Sequence, residues 1–237
     1  MSSPDICVLL LTYSRTDYAR KTIAKCLANI KYSGGILLHI ADDGSSEEHR
    51  SELIKCSKVF DMEPTISNSQ RGGYGPNYNL ALQVVHSRAE IILPLEDDWE
   101  LLRPLDLDPL VEALEERQFG CIRMGYIGYT QELRGKFVSA VGQQFLLLDP
   151  ESPEPHVWAG HPRLETRDWE RSVGPWPENP DLDPGTTEFL VAQRKEARQG
   201  VVWPIDLIHP RGDLWGHIGT QTSRSDRGES IEAINVQ

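Results

Sequence analysis

The chain has 237 residues, 39% of them apolar and six of them Trp, enough for one large packed domain or two small ones. Its formal net charge of −12 excludes a broad sequence-independent nucleic-acid surface, which needs a basic face, but leaves room for a local basic groove. No run approaches the roughly eighteen uninterrupted apolar residues of a membrane span. The opening "MSSPDICVLLLTY" lacks the cationic region and cleavage site of a secretory signal, so a cytoplasmic location is expected. Cys7, Cys26, Cys56 and Cys121 form no CxxC pair, which favours reduced thiols over disulfides or a zinc site.

The first hundred residues alternate strand and helix patterns, the signature of a parallel sheet covered by helices. "ICVLLLTY" (6–13) is a continuous apolar run suited to a buried strand. The following helix places Ala19, Ile23, Cys26, Leu27 and Ile30 on one face, with Thr16 or Asp17 as N-cap. "GGILLHIADDGSS" (34–46) reads as a second strand, and "SEEHRSELIKCSK" as a helix capped by Ser45 or Ser46. "PTISNSQ" makes a short third strand. In "RGGYGPNYNLALQVV", Pro76 suits a first helical position, and Leu80, Ala81, Val84 and Val85 form an apolar stripe. "EIILPLEDD" (90–98) is the next strand; Pro94 has no N–H for a ladder, so the strand either bends there or stops pairing early.

Polar residues gather where these strands end: Thr12, Tyr13 and Arg15, then Asp42 and Asp43, then Arg71 to Asn79, then Glu96 to Asp98. Ligands bind along that edge of an open α/β sheet, so the four groups should converge there. Three adjacent acids repel one another unless a cation or hydrogen-bond donors offset the charge, which makes a metal the first hypothesis for "LPLEDDWE". Along an extended backbone Glu96 and Asp98 project to one side and Asp97 to the other, so the three cannot all grip one ion.

The set "LLLTYSR", "ADDGSS", "GPNYNLAL" and "LPLEDDWE", in this order and spacing, resembles the nucleotide-sugar half of a GT-A type glycosyltransferase, closest to glycosyltransferase family 2. The resemblance covers about residues 5–102. It is looser beyond, carried by "GHPRL", "RDW", "GPWPE", "GTTEF" and "HIG". It implies an α/β fold of GT-A (Rossmann-like) type, a mixed, mainly parallel sheet flanked by helices. One domain would hold a donor half at 5–102, a loop-rich acceptor half at 103–220 and a flexible tail at 221–237.

By this resemblance Thr12, Tyr13, Arg15, Asp42 and Asp43 hold the base and ribose of a nucleoside diphosphate sugar, Glu96 and Asp97 stand near the nucleotide, and Asp98 is the ligand of Mn²⁺ or Mg²⁺. Hard oxygen ligands suit either ion. Asn79 matches a frequent Asn of the donor pocket, Tyr78 stands where an Arg is common, and Arg71 is a candidate for the diphosphate. The Gly-rich "RGGYGPNYN" is not a P-loop, since no Lys-Ser or Lys-Thr closes it. An isolated "DDGS" would read simply as a turn with a helix cap.

In the second half, "FGCIRMGYIGYT" (119–130) and "GKFVSAVGQQFLLL" (135–148) read as paired strands, and "DPESPEPHVWAGHPRL" as a loop over the site. Trp158, Trp169 and Trp176 are either a sugar-stacking wall or local core. A helix is expected from about Thr187. Inverting transfer needs a carboxylate to take the acceptor's proton; Glu188 in "GTTEF" matches the family's acidic base, with Asp168 in reserve. An acid at a helix start is also favoured by the macrodipole alone. "HIG" resembles the C-terminal element that adds a His to the metal, favouring His217 over His209. The activity implied is a hexosyltransferase-like transfer to an acceptor hydroxyl, the acceptor being saccharide, lipid-linked, protein or modified DNA. The alternatives are a nucleotidyltransferase, against which "LLLTYSRTDY" lacks the expected glycine loop, and a binding module without catalysis.

Overall fold

The structure is a computed structural model describing residues 5–124, 134–153, 160–179, 184–205 and 214–219. The first hundred residues run β1 (Ile6–Thr12), α1 (Thr16–Asn29), β2 (Ile30–Lys31), β3 (Ile36–Asp42), α2 (Glu47–Lys58), β4 (Thr65–Asn68), α3 (Tyr74–Val85) and β5 (Ile91–Glu96). There follow β6 (Trp99–Leu101), β7 (Leu105–Asp106), α4 (Asp108–Arg117), β8 (Cys121–Arg123), β9 (Gly135–Ala140), β10 (Gln143–Leu148) and β11 (Arg163–Thr166). The chain continues through α5 (Arg167–Val173), α6 (Pro184–Ala192), β12 (Val201–Pro204) and β13 (Trp215–His217).

Nine strands form one sheet in the order β4-β3-β1-β5-β11-β8-β12-β10-β9. The first four are parallel, β11 runs antiparallel to both neighbours, and β8 and β12 are parallel. This is the mixed, mainly parallel α/β sheet expected. Every residue of β1 is buried, because it lies inside the sheet, flanked by β3 and β5 and covered by helices. One core layer gathers Val8, Ile23, Ile40 and Leu93 on the α1 face, the other Leu9, Tyr78, Ala81 and Ile92 on the α3 face. Cys7, Cys26 and Cys121 are buried free thiols, each pushed up to about 12 by burial.

The strands follow the hydrophobic pattern closely, and the departures have local causes. Pro94 is accommodated because β11 pairs with β5 only at Ile91 and Ile92, so no ladder partner on that side needs its missing N–H. Helix α1 has Arg15 at the N-cap with no side-chain cap, while Thr16 turns its hydroxyl to His49 Nδ1 at 2.8 Å. Ser46 does cap α2, accepting from His49 N. Helix α3 begins at Tyr74, so Pro76 is its third residue, still within the turn whose N–H groups have no helical partner. Residues 135–148 form a hairpin on themselves across Val141-Gly142, both with positive φ, as a two-residue primed turn requires. Strand β8 pairs instead with β11 and β12, and 125–130 lie outside the described residues. No described helix is long and apolar enough to cross a membrane.

Candidate active site

Strand β5 ends at Glu96, and Asp97-Asp98 form a turn before β6, so strand alternation no longer governs where the three acids point. Each carboxylate takes a different direction. Asp97 turns inward to β1, accepting from Thr12 Oγ1 (2.9 Å) and Tyr13 N (3.3 Å), while Thr22 of α1 donates to its backbone carbonyl (2.9 Å). Burial pushes Asp97 up to about 6 even with the Arg15 guanidinium bound to it. Asp98 turns toward β13: its Oδ2 lies 2.8 Å from Arg15 Nη1 and 3.5 Å from His217 Nε2. Burial works against its charge, but the bonds to His217 and Arg15 outweigh that and hold it below its usual range.

His217 arrives there because β13 pairs antiparallel with β6, setting His217 opposite Trp99, and Ile218 N donates to the Asp98 carbonyl at 2.8 Å. Trp99, 2% exposed, holds the rings of His217 and His161 at 5.1 and 5.4 Å. Asp98 Oδ1 is buried with no hydrogen-bond partner. A buried carboxylate oxygen left unpaired is costly, and an oxygen beside an imidazole is a donor set that Mn²⁺ accepts. Asp98 and His217 therefore fit an ion. Among the described residues no group of three His, Cys, Asp or Glu encloses one, so its remaining ligands would be phosphate oxygens and water.

Glu96 points the other way, toward Glu188 in the second turn of α6. The two carboxyls come together at Gly160, and bonding to Glu96 and to the Gly160 N–H works against the rise that burial causes in Glu188. Burial raises both, and in Glu96 the charges of Glu188, Asp98 and Asp97 add to it. A Cβ at residue 160 would overlap the Oε1 atoms of both, so any larger residue there would push the two carboxylates out of their present positions. The macrodipole reading of Glu188 does not hold, since no acid lies in the first turn of α6.

Behind Glu188 lies a charge network that the sequence did not disclose. Arg163 and Glu165, both 0% exposed, form an ion pair at 2.8 Å, and Tyr78 OH donates to Glu165 at 2.6 Å while accepting from Arg163 at 3.1 Å. Tyr78, where an Arg is common in the resembling family, here meets an Arg supplied by β11. Arg123, 1% exposed, contacts His161 Nδ1 at 3.2 Å. Both guanidiniums help offset the burial that raises Glu188. "GHPRL" was the only signal for this cluster, and it assigned no residue.

The donor-side residues take more varied roles than expected. The Arg71 guanidinium lies 3.4 Å over the Tyr13 ring. Asp43 organises the glycine loop, accepting from Gly72 N (2.8 Å), Gly73 N (2.9 Å) and Ser69 Oγ (2.9 Å). Asp42, 0% exposed, accepts from Ser45 N (3.1 Å) and Arg50 Nη1 (2.9 Å), the turn-and-cap use of "DDGS". Asn79 is also diverted. It accepts from Trp176 N (2.9 Å) and donates to Trp176 O (3.0 Å) and Glu178 Oε1 (2.7 Å), fastening the "GPWPE" segment to α3.

Asp168 lies apart from the other candidates, and two of the three tryptophans take the local-core alternative. Asp168 is exposed at the start of α5, beside Glu90 at the opposite end of β5 from Asp98, and lines a separate cleft with Glu115 and Glu196. Trp176 is buried against Tyr74 and Tyr78, ring centroids 4.8 Å away, and Trp169 donates to Gln199 O; both are local core. Trp158, His209 and the tail 221–237 lie outside the described residues.

Comparison with known proteins agrees with this architecture. The family model for glycosyl transferase family 2 matches residues 7–167, extending past the donor half. A fragment of Staphylococcus aureus TarS (1–349) superposes with a TM-score of 0.60 at 14% identity, covering 84% of this chain and 57% of that one. A mannosyltransferase from Pyrobaculum calidifontis in complex with GDP-Man and Mn²⁺ gives 0.56 at 15% identity, covering 87% and 56%. TarS 1–349 in complex with UDP-GlcNAc gives 0.59 at 13%, covering 92% and 61%. The chain thus spans little more than half of these structures. A search of curated proteins finds no match. With two thirds of its sequence matched and its sheet shared with GT-A enzymes, the chain belongs to glycosyltransferase family 2.

Proposed function

We propose that this chain is a metal-dependent glycosyltransferase that moves a sugar from a nucleoside diphosphate sugar to an acceptor hydroxyl by direct displacement with inversion. The observation that carries the reading is the convergence at Gly160: Glu96 from the donor strand meets Glu188 from the acceptor half, two residues along the chain from the cation-seeking Asp98.

In this mechanism Thr12 and Asp97 fix the end of β1, so that Tyr13 and Arg71 border the nucleotide. Arg15 and Arg71 supply positive charge toward the diphosphate. Asp98 and His217 would hold Mn²⁺ or Mg²⁺, which would supply Lewis-acid neutralisation of the departing diphosphate. Glu188, once ionised, accepts the proton of the acceptor hydroxyl as it attacks the anomeric carbon. Its raised pKa makes it a stronger base than an exposed Glu at the same pH, provided its proton has left.

The two solved relatives named with ligands hold GDP-Man with Mn²⁺ and UDP-GlcNAc, which makes GDP- and UDP-sugars the first donors to try. Melting temperature should rise with one of the UDP-, GDP-, CDP- or dTDP-sugars, and more with Mn²⁺ present. Asp98→Asn should remove the manganese-dependent part of that rise and lower transfer by about 10³, the equivalent of several kcal/mol of lost charge stabilisation. Unchanged turnover in Asp98→Asn defeats the metal assignment; donor binding without turnover on any acceptor marks a binding module, and pyrophosphate release from a nucleoside triphosphate a nucleotidyltransferase.

A further inference from the structure

Arg15 stands where a cation should bind. Its guanidinium bridges two different carboxylates, Nη2 on Asp97 and Nη1 on Asp98 Oδ2 at 2.8 Å. The carboxylates are nearly sealed, with side-chain exposures of 0% and 6%, while Arg15 retains 19% and so stays in contact with solvent. A planar fork on two buried acids is a strong, oriented contact. It leaves Asp98 Oδ1 as the oxygen without a partner. A divalent ion entering there alone would share one carboxylate with a guanidinium, and the like charges would repel at short range in a poorly screened setting.

We propose that Arg15 is a resident counter-ion that holds the divalent cation off Asp98 until a nucleoside diphosphate arrives, so that metal and donor bind as a linked pair. The inference rests on the metal-dependent reading above. A diphosphate gives Arg15 an alternative anion on its solvent side. Once it shifts or shares its charge, Asp98 becomes available to the ion. Arg15 then costs metal affinity in the empty protein and adds to it in the donor complex. Linkage makes the effect reciprocal, so the metal raises diphosphate affinity by the same factor. Asp97 stays anchored through the exchange by Thr12 Oγ1 and Tyr13 N.

The test is Mn²⁺ binding to the full chain at fixed pH, followed by the loss of the free-ion paramagnetic resonance signal, with and without UDP or GDP. Arg15→Met should bind Mn²⁺ without nucleotide roughly tenfold or more tighter than the wild type, and the gain in Mn²⁺ affinity on adding the nucleotide should shrink. Equal or weaker nucleotide-free binding in the variant, or an unchanged gain, overturns the proposal. Should Arg15→Met not fold, Arg15→Lys, whose single ammonium cannot fork across both acids, should show a smaller tightening; wild-type affinity there overturns it equally. No saturable Mn²⁺ binding to the wild type with either nucleotide is a different failure, that of the metal-dependent reading itself.

Discussion

The two halves of the molecule use charge in opposite ways. In the first half of the chain, strands β1 and β5 are apolar up to their last residues, Thr12 and Glu96, and β3 carries the uncharged His39 before its terminal Asp42; the other polar residues follow the C-terminal ends, at Tyr13, Asp43 and Asp98. In the acceptor half, strands of three or four residues carry Arg123, Arg163 and Glu165 inside the sheet at 1% exposure or less. A continuous parallel sheet offers a ready ligand edge and needs no internal charge to define it. The antiparallel extension has no such edge for Glu188, and a buried ion network behind that residue takes its place. Donor binding should therefore belong to the first half and proton abstraction to the second.

The sharpest separation comes from Glu188→Gln. Removing the proposed general base should lower transfer by about 10²–10⁴, while donor affinity, read from the melting-temperature rise with the best nucleotide sugar and Mn²⁺, stays within about twofold of wild type. A matching loss of donor affinity would mean that the Glu96–Glu188 contact supports the donor pocket as well, and the division of labour would fail.

That division also explains what could be read without coordinates. The donor half follows from periodicity because each apolar run ends at a polar cluster, and one topological rule brings those clusters together. The rule locates residues at an edge and says nothing about their partners. Asp42 and Asp43 look equivalent in "ADDGSS", yet Asp42 is sealed by Ser45 and Arg50 while Asp43 gathers the glycine loop. Asn79 fits a motif but fastens Trp176, because a one-residue step along α3 rotates a side chain by about 100°. In the second half of the chain β8, β11 and β12, of three or four residues, are too short to alternate, and α4 went unread because its apolar face follows an irregular "RPLDLDP". Arg163 and Glu165 could not be placed inside, since charged residues are almost never fully buried unless paired, and pairing is not visible in one chain of letters.

The second prediction tests the network directly. Arg163→Met leaves Glu165 buried with only the Tyr78 hydroxyl, and breaking such a pair by removing one partner costs about 3–5 kcal/mol. Urea denaturation should show that loss, and the double variant Arg163→Met, Glu165→Gln should recover a large part of it, because the uncompensated charge has gone. If the halves act separately, Mn²⁺ and UDP or GDP binding survive in whatever fraction stays folded. A single-variant cost below about 1 kcal/mol would make the network incidental, and the acceptor half would need another explanation for how Glu188 is held.

The smallest effect expected lies in the donor half, at its outer edge. His39 of β3 is 1% exposed and held between Thr65 Oγ1 (2.8 Å) and Ser67 Oγ (3.0 Å) of β4, and burial lowers its pKa from 6.5 to about 4. Above pH 6.5 the imidazole is neutral folded or unfolded, so its contribution is complete. As pH falls from 6.5 toward 4 the unfolded chain takes up a proton that the native one refuses, and stability declines by up to about 3 kcal/mol. Burial lowers His49 too, and acids titrate in the same range, so the measurement is the difference between wild type and His39→Gln: the variant should lose less stability between pH 7 and pH 4.5. Equal losses would remove His39 as the cause. The consequence should also reach the ligand edge, because Ser69, one residue beyond β4, donates to Asp43 and its N–H bonds the Asp42 carbonyl at 3.0 Å. Loosening β4 with acid should therefore weaken donor binding ahead of global unfolding, an order of events that the acceptor half, with no histidine held this way among its described residues, has no means to produce.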